Sequence, residues 1–319
     1  MCYGVAMVIS VHDVHEAAKR IAPYVKQTPV MTSEKFNQFV GADVFFKCEN
    51  FQHVGAFKAR GAMNAVFALS DEDASYGVVA HSSGNHAAAL CLAARNRGIS
   101  ARIVMPENSN KVKIAQVREL GGQIEFCIPT AQAREQAAAA IVEETGARLI
   151  HPFNDAHVIA GQGSVALELL SEVSGLDAIL APVGGGGLMS GCALTAKAIK
   201  PDIFTCGAEP KEVNDAARSL RSGQLQGNVT TNSIADGLRG DLGQMAFDIL
   251  KKHLDELVEV SEANIVAAMR FIWSDLKIII EPSSAVAIAA LMAERSRIKG
   301  DRIGVVITGG NVDLDELPW

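Results

Sequence analysis

The chain has 319 residues, of which 49% are hydrophobic and 20% are charged, and its 29 Lys and Arg against 36 Asp and Glu give a net charge of −7. This balance excludes a disordered or fibrous chain, and it argues against a nucleic-acid binder, which needs a clustered positive surface. At roughly 150 residues per domain, the length predicts about two domains.

Short β-rich segments alternate with Ala-rich helical patterns along most of the chain. The predicted strands are 44–48, 77–81, 101–105, 123–127, 178–182, 204–208 and 303–308. The predicted helices are 57–69, 85–97, 110–120, 131–145, 158–173, 187–199, 262–274 and 282–295. This alternation predicts an α/β fold with parallel sheets flanked by helices and with catalytic loops at the carboxyl ends of the strands. We expect a large domain of residues 1–76 and 153–319, a small domain of residues 77–152, and a ligand cleft between them.

The six cysteines are scattered and form no C-x-x-C pair, which indicates thiols of a reducing compartment. The N-terminal residues lack the positively charged start of a secretion signal. The uncharged run 178–196 contains Pro182 and four successive glycines, which a membrane-spanning helix tolerates poorly. We therefore expect a cytoplasmic protein without a membrane segment.

Lys58 lies at the start of a predicted helix, directly after Phe57. Val54, Phe57 and Ala62 would bury this side of the helix start, and burial favours the neutral amine that covalent chemistry with an aldehyde requires. An ordinary lysine in a first helical turn extends to solvent instead, so this residue alone leaves both interpretations open.

A polar segment, His81-Ser82-Ser83-Gly84-Asn85-His86, joins a predicted strand to a predicted helix. Its hydroxyls, its amide side chain and the free N–H groups of a helix N-terminus would form a receptor for a carboxylate or a phosphate. A simple N-cap is the alternative interpretation, although the segment holds more polar groups than capping needs.

Four consecutive glycines, Gly184–Gly187, also connect a predicted strand to a helix. Without Cβ atoms, successive N–H groups can turn toward one anion, and the helix dipole adds attraction, so we predict a phosphate site. Gly185, Gly187 and Gly191 also form a loosened dinucleotide fingerprint, with Glu209 placed where a ribose-binding acid would lie. An NAD-dependent oxidoreductase is therefore the competing interpretation, although the glycine spacing departs from that fingerprint.

Two further segments carry candidate ligands. Thr308-Gly309-Gly310-Asn311 follows the last predicted strand, where a hydroxyl can meet the ring edge of a cofactor. The segment from Glu209 to Asp215 combines carboxylates with available carbonyls, a set that suits Mg²⁺, Mn²⁺ or Ca²⁺. A solvated acidic loop would have the same composition.

Taken in order, Phe57-Lys58, the segment Ser82 to His86, Gly184–Gly187 and the segment Thr308 to Asn311 resemble the motifs of the fold-type II pyridoxal-phosphate enzymes. The similarity points to the serine racemase and serine/threonine dehydratase family and spans nearly the whole chain. It implies a two-lobed fold like that of the tryptophan synthase β subunit, pyridoxal 5′-phosphate as the cofactor, an amino acid as the substrate, and a homodimer.

The resemblance also implies roles for individual residues. The residues implied to bind the cofactor are Phe57, Lys58, Asn85, Gly184, Gly185, Gly186, Gly187, Leu188 and Thr308. Within this set, Lys58 would bind the cofactor aldehyde and later remove the substrate Cα proton. Asn85 would bond the 3′-oxygen, the glycine loop would hold the phosphate, and Thr308 would face the pyridine nitrogen.

For the substrate and the metal, the resemblance implies two more sets. The residues implied to bind the substrate carboxylate are Ser82, Ser83, Gly84, Asn85 and His86. Ser83 also matches the serine that acts as the opposite-face acid or base in the racemases of the family. Glu209, the Val213 carbonyl and Asp215 would bind a divalent cation, as in racemase-like members.

Two features favour a dehydratase within this family. Phe153, after His151-Pro152, resembles the dehydratases, because animal serine racemases tend to carry an amide side chain there. The segment 49–58 is similar to the 3-hydroxyaspartate ammonia-lyases. We therefore expect α,β-elimination of water from a small β-hydroxy amino acid, foremost L-threo-3-hydroxyaspartate, which would yield oxaloacetate and ammonia, with serine and threonine as further substrates.

The alternative within the same family is a serine or aspartate-type racemase with side dehydratase activity. A dicarboxylic substrate would need a cation for its second carboxylate, and Arg239 and His53 are the candidates that the sequence offers.

Overall fold

The computed structural model describes residues 9–109 and 111–319, and this part contains ten strands in two sheets and thirteen α-helices. The strands are β1 (Val30–Met31), β2 (Asp43–Cys48), β3 (Val78–His81), β4 (Ala101–Pro106), β5 (Gln123–Cys127), β6 (Arg148–Leu149), β7 (Ala178–Pro182), β8 (Phe204–Pro210), β9 (Glu256–Val260) and β10 (Arg302–Ile307). The helices are α1 (Val11–Ile21), α2 (Glu34–Val40), α3 (Lys58–Phe67), α4 (Asp71–Ser75), α5 (Asn85–Arg97), α6 (Lys111–Glu119), α7 (Ala131–Thr145), α8 (Ala156–Glu172), α9 (Gly187–Ile199), α10 (Asp215–Ser222), α11 (Gln244–His253), α12 (Glu262–Asp275) and α13 (Pro282–Ala293).

The larger sheet has the strand order β1-β2-β10-β7-β8-β9, and every neighbouring pair except β1 with β2 is parallel. Helices cover both of its faces, so β7 is buried along its whole length. Ala178 and Leu180 pack with residues of α12 and α13, while Ile179 and Ala181 pack with residues of α8 and α9. Such a continuous apolar run is typical of a central parallel strand.

The smaller sheet has the order β5-β4-β3-β6, and all of its pairs are parallel. Ala80 and Ile103 pack with residues of α3 and α5 on one face, whereas Val79 and Val104 pack with residues of α7 on the other. The predicted fold class, α/β with parallel sheets flanked by helices, is therefore confirmed.

All of the predicted strands and helices are present, and their ends lie within two residues of the predicted ends. The predicted helix 110–120 begins at a residue outside the described part of the chain. The elements that the sequence patterns did not predict are β1, β6, β9, α1, α2, α4, α10 and α11. Two of these strands have only two residues, too few for an alternation to show.

Among residues 9–109 and 111–319, no helix combines the length and the apolar character needed to cross a membrane. The described cysteines are all free thiols, namely Cys48, Cys91, Cys127, Cys192 and Cys206. Cys2 lies outside the described residues.

A buried ion-pair network fixes α3 against α8 and against the end of β2 in the larger sheet. Arg60, on α3, is fully buried, and its Nε lies 2.8 Å from Oε2 of the equally buried Glu49, just after β2. Its Nη1 lies 2.6 Å from Oε1 of Glu168 on α8. Lys47 adds a second pair to Glu168 at 3.0 Å. Because each of these buried charges has a partner, the network holds α3 and the lysine at its start in one position.

Replacing Arg60 by Met should cost about 3–5 kcal/mol of unfolding free energy, because the substitution leaves Glu49 buried without its partner. Arg102→Met is the matched control, since Arg102 makes an exposed pair with Glu144 at 3.6 Å, and it should cost less than about 1 kcal/mol. Urea unfolding of the two variants measures both losses. Equal losses would contradict the structural role assigned to the network.

Candidate active site

The candidate site residues lie directly after the carboxyl ends of parallel strands. Ser82 follows β3, Gly184 lies two residues after β7, and Thr308 follows β10. Parallel strands end at the same edge of a sheet, so ligands of α/β folds bind at this edge. β3 belongs to the smaller sheet, whereas β7 and β10 belong to the larger one, and the hydrogen bonds of Asn85 with Glu281 and Asn311 bring the segment after β3 next to the segment after β10.

The start of α3 is bonded to the end of β10. The Phe57 N–H donates to the Thr308 carbonyl at 2.9 Å. Gly55 adopts a φ of 69°, and a Cβ at this position would lie 2.5 Å from the Oδ1 of Asn311. Only glycine accommodates both the backbone conformation and the close side chain. These contacts place Lys58 beside the segment that follows β10.

The Lys58 amine is half-buried and donates a hydrogen bond of 2.7 Å to the Pro152 carbonyl. Its Nζ lies 5.1 Å from the centroid of the Phe57 ring. Burial lowers the pKa of Lys58 to about 8, although the nearby Glu281 carboxylate opposes this shift. At pH 7 roughly a tenth of the amines is therefore neutral, far more than for an ordinary lysine of pKa ~10.4, and this form can act as a nucleophile or a base.

The turn between β3 and α5 presents two serines. Ser82 and Ser83 are half-buried, and the Ser82 hydroxyl accepts a weak bond of 3.4 Å from the Gly84 N–H. Within the described residues, the Ser83 hydroxyl has no hydrogen-bond partner. These groups and the N-terminus of α5 therefore remain available for a ligand, as an anion site requires.

Asn85 is the first residue of α5, and both ends of its side chain are bonded. Its Nδ2 donates to the two Glu281 carboxylate oxygens at 3.0 and 3.2 Å, and its Oδ1 accepts from Asn311 Nδ2 at 2.8 Å. This arrangement fixes the orientation of the amide.

Two histidines lie behind this turn. The His86 Nε2 is 3.0 Å from the Ile150 carbonyl, while its buried Nδ1 has no partner in the described structure. Burial, together with the charge of Lys58, lowers the pKa of His86 to about 3. Burial also lowers the pKa of His151, whose Nδ1 accepts from the Asn154 N–H at 2.9 Å, to about 4. Both rings are therefore neutral at physiological pH.

The glycine loop leads into α9, which has 13 residues. A Cβ at Gly185 would lie 2.2 Å from the Phe153 ring, and a Cβ at Gly184 would lie 2.8 Å from the Leu238 Cα. Gly186 adopts a φ of 84°. Among the described residues, we find no acceptor for the main-chain N–H groups of Gly184, Gly185 and Gly186. Free N–H groups at a helix N-terminus can bind an anion, and Gly187 and Leu188 are the first residues of this helix.

Thr308 lies at the end of β10 and is buried. Its Oγ1 is 2.8 Å from the hydroxyl of Ser284 on α13, and that hydroxyl also bonds the Gly309 N–H and carbonyl at 2.7 Å each. Ser284 therefore holds the Thr308 side chain in place.

Glu209 and Asp215 are both buried, so the alternative of a solvated acidic loop is wrong for these two residues. Glu209 belongs to the end of β8, and Asp215 begins α10. Glu209 Oε1 accepts from the Ala217 N–H at 2.7 Å, while its buried Oε2 has no partner in the described structure. Burial raises the pKa of Glu209 to about 8 and that of Asp215 to about 6, and the Asp215 charge adds to the shift of Glu209.

A metal at this position would need more than side-chain ligands. Among the described residues, no group of three or more His, Cys, Asp and Glu is placed to hold a metal. Two carboxylates with one carbonyl, the set of Glu209, Asp215 and Val213, remain as the candidate ligands.

The sequence patterns missed three residues of this region. Glu281 and Ser284 belong to the segment Glu281-Pro282-Ser283-Ser284, which has the composition of an ordinary helix start. Lys113 on α6 pairs with Asp236 at 2.5 Å. This pair connects α6, which packs beside the smaller sheet, with the part of the chain that contains the larger sheet. Arg239, a candidate for a second carboxylate, instead donates to the Ser233 carbonyl at 2.8 Å.

Comparisons with known proteins show the family to which the chain belongs. The family model described as "Pyridoxal-phosphate dependent enzyme" matches residues 21–309. The beta-hydroxyaspartate dehydratase of Paracoccus denitrificans is 47% identical over 307 residues, which cover 96% of this chain and 98% of that protein. A serine racemase of Oryza sativa is 47% identical over 312 residues, which cover 96% of this chain and 92% of that protein. The structure of maize serine racemase is 46% identical, has a TM-score of 0.95, and is matched over 97% of this chain and 95% of that chain.

Reductive methylation of the cofactor-free protein with formaldehyde should show a midpoint near pH 8 for Lys58, because only the neutral amine reacts and burial lowers the pKa of Lys58 to about 8. Ordinary lysines, with pKa values near ~10.4, are almost fully protonated at that pH. Mass spectrometry of the peptides measures the extent of labelling of Lys58 relative to that of the exposed Lys252. Labelling of Lys58 that is no faster than that of Lys252 at pH 8 would contradict the low pKa.

Proposed function

The chain belongs to the pyridoxal-phosphate dependent enzyme family, and from this premise we propose that it is an ammonia-lyase that eliminates water from a small β-hydroxy amino acid, foremost L-threo-3-hydroxyaspartate. The observation that carries the proposal is the half-buried Lys58 amine of lowered pKa, which lies among groups suited to an anion. Serine and threonine are the further substrates that we propose. The NAD-dependent alternative for the glycine loop has no support from the family match.

The residues of the site fit pyridoxal 5′-phosphate. The N–H groups of the Gly184–Gly187 loop and Leu188 would hold the phosphate, since a helix N-terminus attracts an anion. Lys58 would bind the aldehyde, with the Phe57 ring beside it. Asn85 would bond the 3′-oxygen, and Thr308 would face the ring nitrogen.

When bound, pyridoxal 5′-phosphate supplies the electron sink that makes the substrate Cα proton acidic. The protein's part is to position the substrate and to move this proton. Lys58 removes it at Nζ, which a pKa of about 8 allows near neutral pH. The β-hydroxyl takes up a proton, which balances the one removed from Cα, and leaves as water. Hydrolysis of the released enamine then gives ammonia and a 2-oxo acid, which is oxaloacetate in the case of 3-hydroxyaspartate.

The turn from Ser82 to His86 would bind the substrate carboxylate. It offers the hydroxyls of Ser82 and Ser83, the main-chain groups around Gly84, and the N-terminus of α5. The neutral state of His86, whose pKa burial lowers to about 3, means that this binding depends on amides and hydroxyls rather than on a histidine charge.

Racemisation of serine or aspartate is the second candidate function, and the Ser83 hydroxyl, which has no hydrogen-bond partner among residues 9–109 and 111–319, favours it. A racemase needs an acid or base on the face opposite Lys58, and Ser83 is the residue that we propose for this role. The serine racemase of Oryza sativa is as similar to the chain as the Paracoccus dehydratase, with 47% identity each.

Incubation of the cofactor-loaded protein with L-serine, L-threonine and the threo and erythro 3-hydroxyaspartates should produce the 2-oxo acid and ammonia as the main products. Lys58→Ala should reduce this rate at least about 100-fold, because it removes the proton-transferring amine, whereas Lys252→Ala, at an exposed lysine, should not change it. Measuring the 2-oxo acid and the D-enantiomer separately decides the reaction. Dominant formation of the D-enantiomer would replace the lyase proposal by the racemase.

We also propose a divalent cation, Mg²⁺, Mn²⁺ or Ca²⁺, at Glu209, Asp215 and the Val213 carbonyl. The support is the buried Oε2 of Glu209, which has no partner among the described residues. Two buried carboxylates repel each other, and a cation would offset both their burial and this repulsion. Its role would be structural, since it would join the end of β8 to the start of α10.

Adding Mg²⁺ to EDTA-treated protein should raise the thermal unfolding midpoint, because a ligand that binds only the folded state stabilises it by about 2.7 kcal/mol at 100 times its Kd. Glu209→Gln should abolish the rise. Glu212→Gln is the control, because Glu212 lies in the same segment but is exposed. The site would be rejected if Mg²⁺, Mn²⁺ and Ca²⁺ all left the wild-type midpoint unchanged.

We also propose two domains, a homodimeric assembly and a cytoplasmic location for the protein. We assign residues 1–76 and 153–319 to a large domain and residues 77–152 to a small one, because the strands of the smaller sheet all lie between residues 78 and 149. We further propose a homodimer in the cytoplasm, where free cysteines such as those described here persist.

A further inference from the structure

Glu281 is a buried carboxylate at the centre of the candidate site. It precedes α13, yet its side chain forms no cap on that helix and bonds the Asn85 amide instead. Gly309 makes room for it, since a Cβ at Gly309 would lie 2.7 Å from the Glu281 Oε1. Glu281 as a whole is only 4% exposed. A carboxylate that is buried at such a position needs a partner or a function.

Three charged groups face Glu281 from different elements. Lys58 lies on α3, Lys113 on α6, and Asp236 in the short helix Asp236–Leu238. Burial, and next the charge of Asp236, raise the pKa of Glu281 to about 8, while Asn85 and Lys113 oppose the shift. Among the described residues, Glu281 is thus the carboxylate whose charge acts on the pKa of the Lys58 amine.

The remaining titratable neighbours of Lys58 carry no charge. His86 and His151 both face the amine, but burial lowers their pKa values to about 3 and about 4. The charge balance at Lys58 therefore depends on Glu281.

We propose that Glu281 is a positioning residue of the site, whose carboxylate fixes the Asn85 amide and supplies the negative charge opposite Lys58. The inference rests on the proposed function, which identifies Lys58 and Asn85 as cofactor-binding residues. Ionised or protonated, the Glu281 carboxyl keeps an acceptor oxygen, so it holds the Asn85 Nδ2 turned toward itself and Oδ1 toward Asn311.

Where Glu281 is ionised, chiefly above its raised pKa of about 8, its negative charge favours the protonated form of Lys58. It thereby sets the pH at which the nitrogen of Lys58 gains and loses its proton. Glu281 does not exchange a proton with the substrate in this proposal, because it acts through Asn85 and Lys58.

The test is the pH dependence of two signals in Glu281→Gln. One is the visible absorbance of the cofactor-loaded full-length enzyme, and the other is the reductive methylation of Lys58 in the cofactor-free protein. Both midpoints should fall by about one pH unit, at the lower end of the shift that one opposite charge produces. Glu281→Asp keeps the charge, so both of its midpoints should lie close to those of the wild-type protein. Glu294→Gln, at the far end of α13, is the control and should leave both midpoints unchanged.

Asp236→Asn is a second variant that leaves the buried residues intact. Because the charge of Asp236 raises the pKa of Glu281, its removal keeps Glu281 ionised to a lower pH, so the Lys58 midpoint should rise. If Glu281→Gln does not fold, the inference is overturned when the Lys58 midpoint of Asp236→Asn falls or stays unchanged.

Unchanged midpoints in a folded Glu281→Gln variant would overturn the inference even if the wild-type enzyme forms 2-oxo acids. Conversely, a shifted midpoint together with a wild-type enzyme that releases no 2-oxo acid would support the role of Glu281 and reject the proposed lyase. The two proposals therefore fail on different measurements.

Discussion

The main-chain hydrogen bond of 2.9 Å from Phe57 to Thr308 fixes where α3 begins relative to the larger sheet. Lys58 is the first residue of α3, so this bond determines where its amine lies. The buried pairs of Arg60 with Glu49 and Glu168 hold the same helix from its other side. A reactive lysine needs a fixed position, and these contacts hold the start of its helix without touching the amine.

The buried charges of the molecule fall into two groups. Arg60 and Glu49 are fully buried and fully paired, and such pairs stabilise one arrangement of the chain. Among the described residues, Glu209 by contrast has a buried oxygen without a partner, and the Glu281 carboxylate is bonded by neutral groups, the Asn85 amide and the Asn311 main chain. Burying a carboxylate without a cation costs free energy, and proteins keep such groups where a ligand or a reaction uses them. This contrast separates the residues that hold the fold from those that we assign to the site.

Much of this fold and site could be predicted from the sequence, because the main signals are local. The run Ala178–Pro182 followed by glycines shows a buried strand and a loop directly, and the polar segment from Ser82 to His86 is continuous in the chain. Glu281 could not be found in this way. It precedes a proline and two serines, the composition of a helix start, and only the fold brings it to Asn85, 196 residues away in the chain. A residue whose role depends on a distant partner carries no local signal.

Borohydride reduction of the cofactor-loaded protein, followed by peptide mass spectrometry, tests the central claim most directly, because reduction makes the bond between a lysine and the cofactor permanent. We predict that the added mass of the reduced cofactor is found on the peptide that contains Lys58 and on no other. Its presence on another lysine, such as Lys113, with Lys58 unmodified, would contradict the assignment of Lys58 and the site built around it.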